Sequence, residues 1–269
     1  MSEGEIMEQV KVDCAPVSVH HLPNGDIEQM YRLFEQYYDC VSFETFRKDL
    51  LKKDRVIVAR NPDSGPIKGF TTLKIMDIEY EMNGKKHHAT GVFSGDTIVS
   101  PEYWGSRVIN GAFAATLLKE KIKRPFSPVY WFLISKGYKT YLLLTNNFLE
   151  YYPNKEEATP EHIQKVIDAY ATTLYPEAYD RESGLLKFEQ SLGQLKSNVA
   201  PIDQHLLTTQ PKIAFFQFMN PNWLQGDELV CLGVVSWRLF AFYAFKSTCF
   251  FFRGLVRRSP SKSSRRQTA

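Results

Sequence analysis

Residues 92–134, VFSGDTIVSPEYWGSRVINGAFAATLLKEKIKRPFSPVYWFLI, read as a strand, a tight loop, a helix and a second strand. Val92–Val99 mixes β-branched residues with a mid-strand Ser94-Gly95-Asp96, and Ser100-Pro101 stops it. An amphipathic helix is expected from near Ser106 to Lys123, and a buried strand over Val129–Ile134. A strand that feeds a helix N-terminus presents free backbone N–H groups and the positive end of the helix dipole, which suits a phosphate. A carboxylate just upstream, inside the strand, would meet whatever that phosphate carries. The pair points to group transfer from a phosphate-containing donor.

Working outward, VSVHHL at 17–22 reads as a first strand. Pro23-Asn24-Gly25-Asp26 then reads as a turn, with Asp26 capping a helix over 27–38. Ser42 caps a second helix over Phe43–Leu51, and Arg55–Ala59 is a buried-type strand. Asn61–Gly65 is a plain turn. Ile67–Met82 and Lys86–Val99 form a long hairpin about Asn83-Gly84, a dipeptide suited to a tight turn with positive φ. Beyond the quoted block, helices are expected over 136–146 and 160–174, and strands over Ile213–Phe218 and Leu229–Val235. Ser236 caps a last helix running to about Val256. No internal repeat is present.

Charge is unevenly spread along the 269 residues. From Arg238 onward there are eight basic residues and no acidic ones, whereas residues 1–237 carry 25 basic and 30 acidic side chains. That excludes a broadly basic nucleic-acid-binding body. Cys14, Cys40, Cys231 and Cys249 have no metal-type spacing, and MSEGEIMEQV lacks an apolar run, so a cytoplasmic chain with free thiols is expected. The pairs His20-His21 and His87-His88 lie in strand-type sequence, where neighbours point to opposite faces, so no metal site is expected. His21 and Asp26 are spaced H-x-x-x-x-D, but Asp26 reads better as a cap. There is no G-x-S-x-G, H-E-x-x-H, Walker A or G-x-G-x-x-G motif.

The element order, with Glu102-Tyr103-Trp104-Gly105-Ser106-Arg107 ahead of the helix, resembles the GCN5-related N-acetyltransferase (GNAT) superfamily of acyl-CoA-using enzymes. The resemblance covers residues 17–152. Gly105 matches the family's Q/R-x-x-G-x-G/A pattern, while Glu102 and Arg107 depart from it. The fold implied is α+β: a GNAT-like mixed, largely antiparallel twisted sheet flanked by helices, with a helical insertion and a C-terminal amphipathic helix. The expected organisation is a flexible N-terminus over 1–16 and an acyltransferase core over 17–153. An insertion with the final strands follows over 154–235, then an apolar and basic helix and tail over 236–269.

The activity implied is transfer of an acyl group from an acyl-CoA or acyl carrier protein thioester to an amine or hydroxyl, with no permanently bound cofactor. By the same resemblance Ile98 and Val99 offer main-chain groups to the pantetheine arm. Trp104, Gly105, Ser106 and Arg107 take the phosphates, and the splay between strands 92–99 and 129–134 admits the arm. The strand carboxylate used as general base corresponds to Asp96. The tyrosine that protonates the leaving thiolate corresponds to Tyr141, with Tyr138 competing.

Each assignment has a plainer counterpart. Asp96 in an apolar strand is costly unless hydrogen-bonded, which suits a base of raised pKa or a structural carboxylate. Gly95 beside it favours a bulge that re-aims a neighbour. Residues 104–107 also suit an ordinary helix start, and Tyr141 suits a core aromatic. In the last helix Arg238, Lys246 and Arg253 fall within about 80° of one another, a cationic stripe beside a wide aromatic face. This suits an interfacial helix on anionic lipid, hence peripheral membrane association, or a core helix with a wet edge. The alternative functions are a non-catalytic binding module of the same fold and a membrane-docking adaptor.

Overall fold

The computed structural model describes residues 13–60, 65–103, 109–188, 194–196, 199 and 201–246. The chain divides at Val235/Ser236 into two units. In the first, β1 (Asp13–Ser18) leads through a 3-10 turn to α1 (Asn24–Phe34), β2 (Tyr38–Asp39) and α2 (Phe43–Leu50). Then come β3 (Arg55–Arg60), β4 (Ile67–Met82), β5 (Lys85–Val99), α3 (Asn110–Lys123), β6 (Val129–Ser135) and α4 (Tyr138–Asn147). The remainder is β7 (Tyr151–Tyr152), α5 (Glu161–Leu174), β8 (Tyr179–Asp180), β9 (Leu185–Leu186), β10 (Gln194–Leu195), α6 (Gln204–Thr209), α7 (Pro211–Met219) and β11 (Glu228–Val234).

One sheet runs β1-β3-β4-β5-β6-β11-β9-β8, with β7 also on β11. Among the described pairings in that sheet only β5–β6 is parallel. The fold is thus α+β with a mixed, mostly antiparallel sheet and helices against it. Parallel neighbours need a crossover, and α3 supplies it. β6 reads VYWFLIS, a continuous apolar run, because a central strand covered on both faces needs no polar alternation. Trp131 packs on Phe113 of α3 and on Phe148, while Phe132 stacks on Tyr170 of α5 at 3.8 Å. Two buried clusters result. Ile27, Met30, Leu33, Phe46 and Leu50 of α1 and α2 cover Val56, Val58, Phe70 and Ile98. Ile163, Val166, Ile167 and Tyr170 of α5 cover Met76, Phe93, Phe132, Val230 and Leu232.

Most local expectations hold. Asn83 and Gly84 close the β4–β5 hairpin with φ of 53° and 67°, and Ser42 Oγ accepts from Thr45 N at 3.2 Å. Ser236 Oγ accepts from Leu239 N at 3.2 Å in the second unit, whose residues 237–246 are helical. The expected continuation of that helix to Val256, and the basic tail, lie outside the described residues, as does most of the Asn61–Gly65 turn. Among the described residues no helix is long and apolar enough to cross a membrane.

Three expectations are corrected. The first strand is β1, ending at Ser18, and Val19–His21 is a 3-10 turn. Asp26 is not the cap of α1. It sits in the first turn, where the dipole favours a carboxylate, and pairs with Arg60 of β3 at 2.5 Å. Residues 213–218 are not a strand but the body of α7. Pro211 sits in its first turn, and Ile213 and Phe216, three apart, are the buried pair, while Phe218 is exposed. Six apolar residues fit either period, and the proline with its i, i+3 burial decides.

Candidate active site

β5 pairs with β6 from Thr90/Val129 to Ser94/Leu133, and the described pairing ends there. The two strands then part, leaving a wedge with Gly95–Val99 on one wall and Ile134–Lys136 on the other. On its other edge β5 stays with β4, but the register shifts: Thr71 faces Thr97 and Leu73 faces Ser94. Thr72 therefore stands alone opposite Gly95 and Asp96, a β-bulge in the strand. Gly95 is required by contact, since a Cβ there would lie 2.6 Å from Thr72 Oγ1 and 2.9 Å from Lys53 Cε. Trp131 Nε1 donates to Ser94 Oγ at 2.8 Å, tying the strands together at the point where they diverge.

A cavity of about 480 Å³ occupies the wedge. Phe34, Phe46, Phe93, Trp131, Leu143 and Phe188 supply apolar wall, and Asp49, Lys53, Asp96, Lys136, Glu228, Tyr38 and Tyr175 supply polar groups. Lys53, itself buried, donates to Asp49 Oδ2 at 2.5 Å, and Lys136 Nζ lies 3.3 Å from Glu228 Oε1. Among the described residues Asp96 has no such ion pair. Burial raises the Asp96 pKa, the Asp49 carboxylate raises it further, and Lys53 and Lys136 oppose that rise. Burial likewise raises Glu228, against the pull of Lys136. Burial first, and the nearby carboxylates second, hold the Tyr38 and Tyr175 hydroxyls protonated far above their usual range.

This arrangement can hold an elongated ligand in the wedge and accept a proton at Asp96. If Asp96 must be ionised to act, the acid limb of any pH–rate profile lies above the ordinary carboxylate range. Lys53→Met removes a charge that opposes this rise, so the limb is expected to move to higher pH. A pH–rate profile of that variant showing no movement would place Lys53 outside the electrostatics of the site.

Asp96 lines the cavity, as do Thr140 and Leu143 of α4. Neither tyrosine predicted beside it is among the lining residues. Tyr141 is 1% exposed, donates its hydroxyl to Pro153 O at 2.9 Å and rests on Phe215 and Phe216. Tyr138 is half-buried at the first position of α4. Thr140 and Leu143 take the face toward the cavity, and Tyr141 with Leu144 takes the buried one. Tyr141→Phe is therefore expected to cost about 1 kcal/mol of stability, the worth of one hydrogen bond, in chemical denaturation. Ile98 is buried in the α1–α2 cluster, and the Val99 carbonyl accepts from Tyr37 Oη at 2.9 Å. Trp104, Gly105, Ser106 and Arg107 lie outside the described residues.

Lys53, Lys136, Asp49, Glu228, Tyr38 and Tyr175 were not anticipated. Glu228 carries a signal like that of Asp96, a carboxylate in an apolar strand, here at the first position of β11. Lys136 follows β6 directly, and Lys53 sits in a turn with nothing in the local sequence to mark it.

No protein-family model matches the chain, and no curated protein sequence matches it. Solved structures that overlap part of it include a conserved protein of unknown function from Enterococcus faecalis, at 14% identity and a TM-score of 0.35. Others are a GCN5-related N-acetyltransferase from Kribbella flavida, at 15% and 0.35, and ElaA from Escherichia coli, at 17% and 0.34. These overlaps cover 50%, 51% and 54% of this chain and 32%, 33% and 94% of the other chains, so about a third of the length of the first two is spanned. Strand order and the β5/β6 wedge, not these scores, define the fold.

Proposed function

We propose that the chain is an acyltransferase that moves an acyl group from a phosphopantetheine thioester to an amine or hydroxyl acceptor. The thioester would be carried by coenzyme A or by an acyl carrier protein. The observation that supports this most is the wedge: two parallel strands part beside a bulge that places Asp96, a carboxylate with no ion pair among the described residues, in a cavity with apolar walls. A pantetheine arm is narrow and extended, and a strand edge that has lost its neighbour offers it backbone partners. The acceptor would lie toward Asp96, which takes its proton directly or through water while the acceptor attacks the thioester carbon. Main-chain groups of β5 would polarise the thioester carbonyl, and Trp104, Gly105, Ser106 and Arg107 are proposed as phosphate contacts from their sequence alone.

The test is thiol release from acetyl-, octanoyl- and palmitoyl-CoA and from acylated carrier protein, each with a panel of amines and alcohols. Turnover with a matching acylated product is the expected result. Saturable thioester binding with no turnover across the panel would favour a binding module instead.

A further inference from the structure

The reaction proposed above needs a proton at the departing sulfur, because an alkyl thiolate is a poor leaving group. Tyr141 and Tyr138 are not among the residues lining the cavity, and the Tyr141 hydroxyl is bonded to Pro153 O. Another donor is needed: of the cavity's lysines and tyrosines Lys48 and Lys52 are exposed, which leaves Lys53, Tyr38, Tyr175 and Lys136, with the carboxyl of Glu228 as a fifth candidate. Lys53 is committed to Asp49 Oδ2 at 2.5 Å, and its side chain is only 5% exposed. Burial and the neighbouring carboxylates bind the protons of Tyr38 and Tyr175 tightly. Glu228, whose carboxyl burial raises against the pull of its lysine, is only 10% exposed and is turned to that lysine's ammonium at 3.3 Å. That lysine remains.

We propose that Lys136 is the catalytic acid that delivers a proton to the departing sulfur, a role that rests on the acyl-transfer reading of the wedge. Lys136 is the first residue beyond β6, and the β5–β6 pairing ends at Ser94/Leu133. Asp96 and Lys136 therefore stand on opposite walls of one wedge, and both line the same cavity. The ammonium is held 3.3 Å from Glu228 Oε1 and 5.2 Å from the Tyr38 ring centroid, yet the side chain keeps 23% of its surface open. Glu228 is the positioning residue, holding the lysine at the edge of the wedge.

The step balances. The acceptor nitrogen or oxygen forms a bond to the thioester carbon, and Asp96 takes the acceptor's proton. The carbon–sulfur bond breaks with its electron pair going to sulfur, and Lys136 gives that sulfur a proton. The products are the amide or ester and a free thiol. A proton passing from Asp96 to Lys136 through water restores both groups.

Two variants separate this role from a structural one. Lys136→Arg keeps a cation beside Glu228 but holds its proton too tightly to donate. The double variant Lys136→Met with Glu228→Gln removes both partners, so no buried charge is stranded. Each is assayed against the wild type with an acyl-CoA and with the S-phenyl thioester of the same acid, whose leaving group departs without protonation. Circular dichroism checks that each is folded. Both variants should lose about 10²-fold with acyl-CoA while changing little with the S-phenyl ester. Equal losses with both donors, or no loss with either, would overturn the assignment. A wild type inactive toward both esters would instead overturn acyl transfer itself.

Discussion

Asp96→Asn is expected to lower acyl transfer by roughly 10²–10⁴-fold, the usual contribution of a positioned general base, while leaving thioester binding intact. The amide keeps the shape and one carbonyl acceptor but cannot take a proton, so the loss should appear in kcat. The same change should raise stability at neutral pH. Burial holds the folded-state pKa of Asp96 above its unfolded value, so the native state binds this proton more tightly. Its contribution to stability is therefore fullest in acid and is lost as pH rises from the unfolded carboxylate value through the raised folded one. The substituted amide carries no charge to desolvate, so the variant escapes that loss. Lower activity with a higher Tm at pH 7 distinguishes a base held at a cost from a structural carboxylate, whose removal would lower both.

Gly91→Ala is expected to cost about 3 kcal/mol or more, at the severe end of overpacking. A Cβ at this position would lie 2.0 and 2.3 Å from two atoms of the Phe132 ring. That ring cannot withdraw, being fully buried and stacked on Tyr170 at 3.8 Å, while Tyr170 in turn donates to the Cys231 carbonyl at 2.7 Å. The strain enters where β5 and β6 are still paired, just before the wedge opens. A urea titration should show the midpoint falling with the m-value unchanged. A loss below about 1 kcal/mol would mean that the centre of the sheet yields far more readily than its packing implies.

Periodicity in the chain was enough to find the hairpin at Asn83-Gly84, the Ser42 cap, the buried β6 run and the bulge beside Gly95. Each is written in adjacent residues and depends on local stereochemistry. The place of Asp96 in the cavity wall has a related signal: a charge inside an apolar strand needs an explanation wherever the strand ends up. What could not be read depends on distance or phase. Lys53, Lys136 and Glu228 come from a turn, a strand end and a strand start that only the assembled sheet brings together. The burial of Tyr141 turns on helical phase, because one step of about 100° separates the face carrying Thr140 and Leu143 from the one carrying Leu144. A short apolar run such as Ile213–Phe218 has no period of its own, and Pro211 in the first turn is what marks it as a helix. Asp26 passed for a cap until the β3 neighbour, Arg60, was in place.

Native mass spectrometry of the purified chain with acyl-CoA, before and after addition of an acceptor amine, tests the occupancy of the wedge most directly. The expected spectrum shows a one-to-one acyl-CoA complex in both the wild type and Asp96→Asn. On adding the amine, only the wild type should convert it to free CoA and acylated amine at an appreciable rate. A chain that binds no acyl thioester, from coenzyme A or carrier protein, or that retains a ligand of unrelated chemistry, would contradict it.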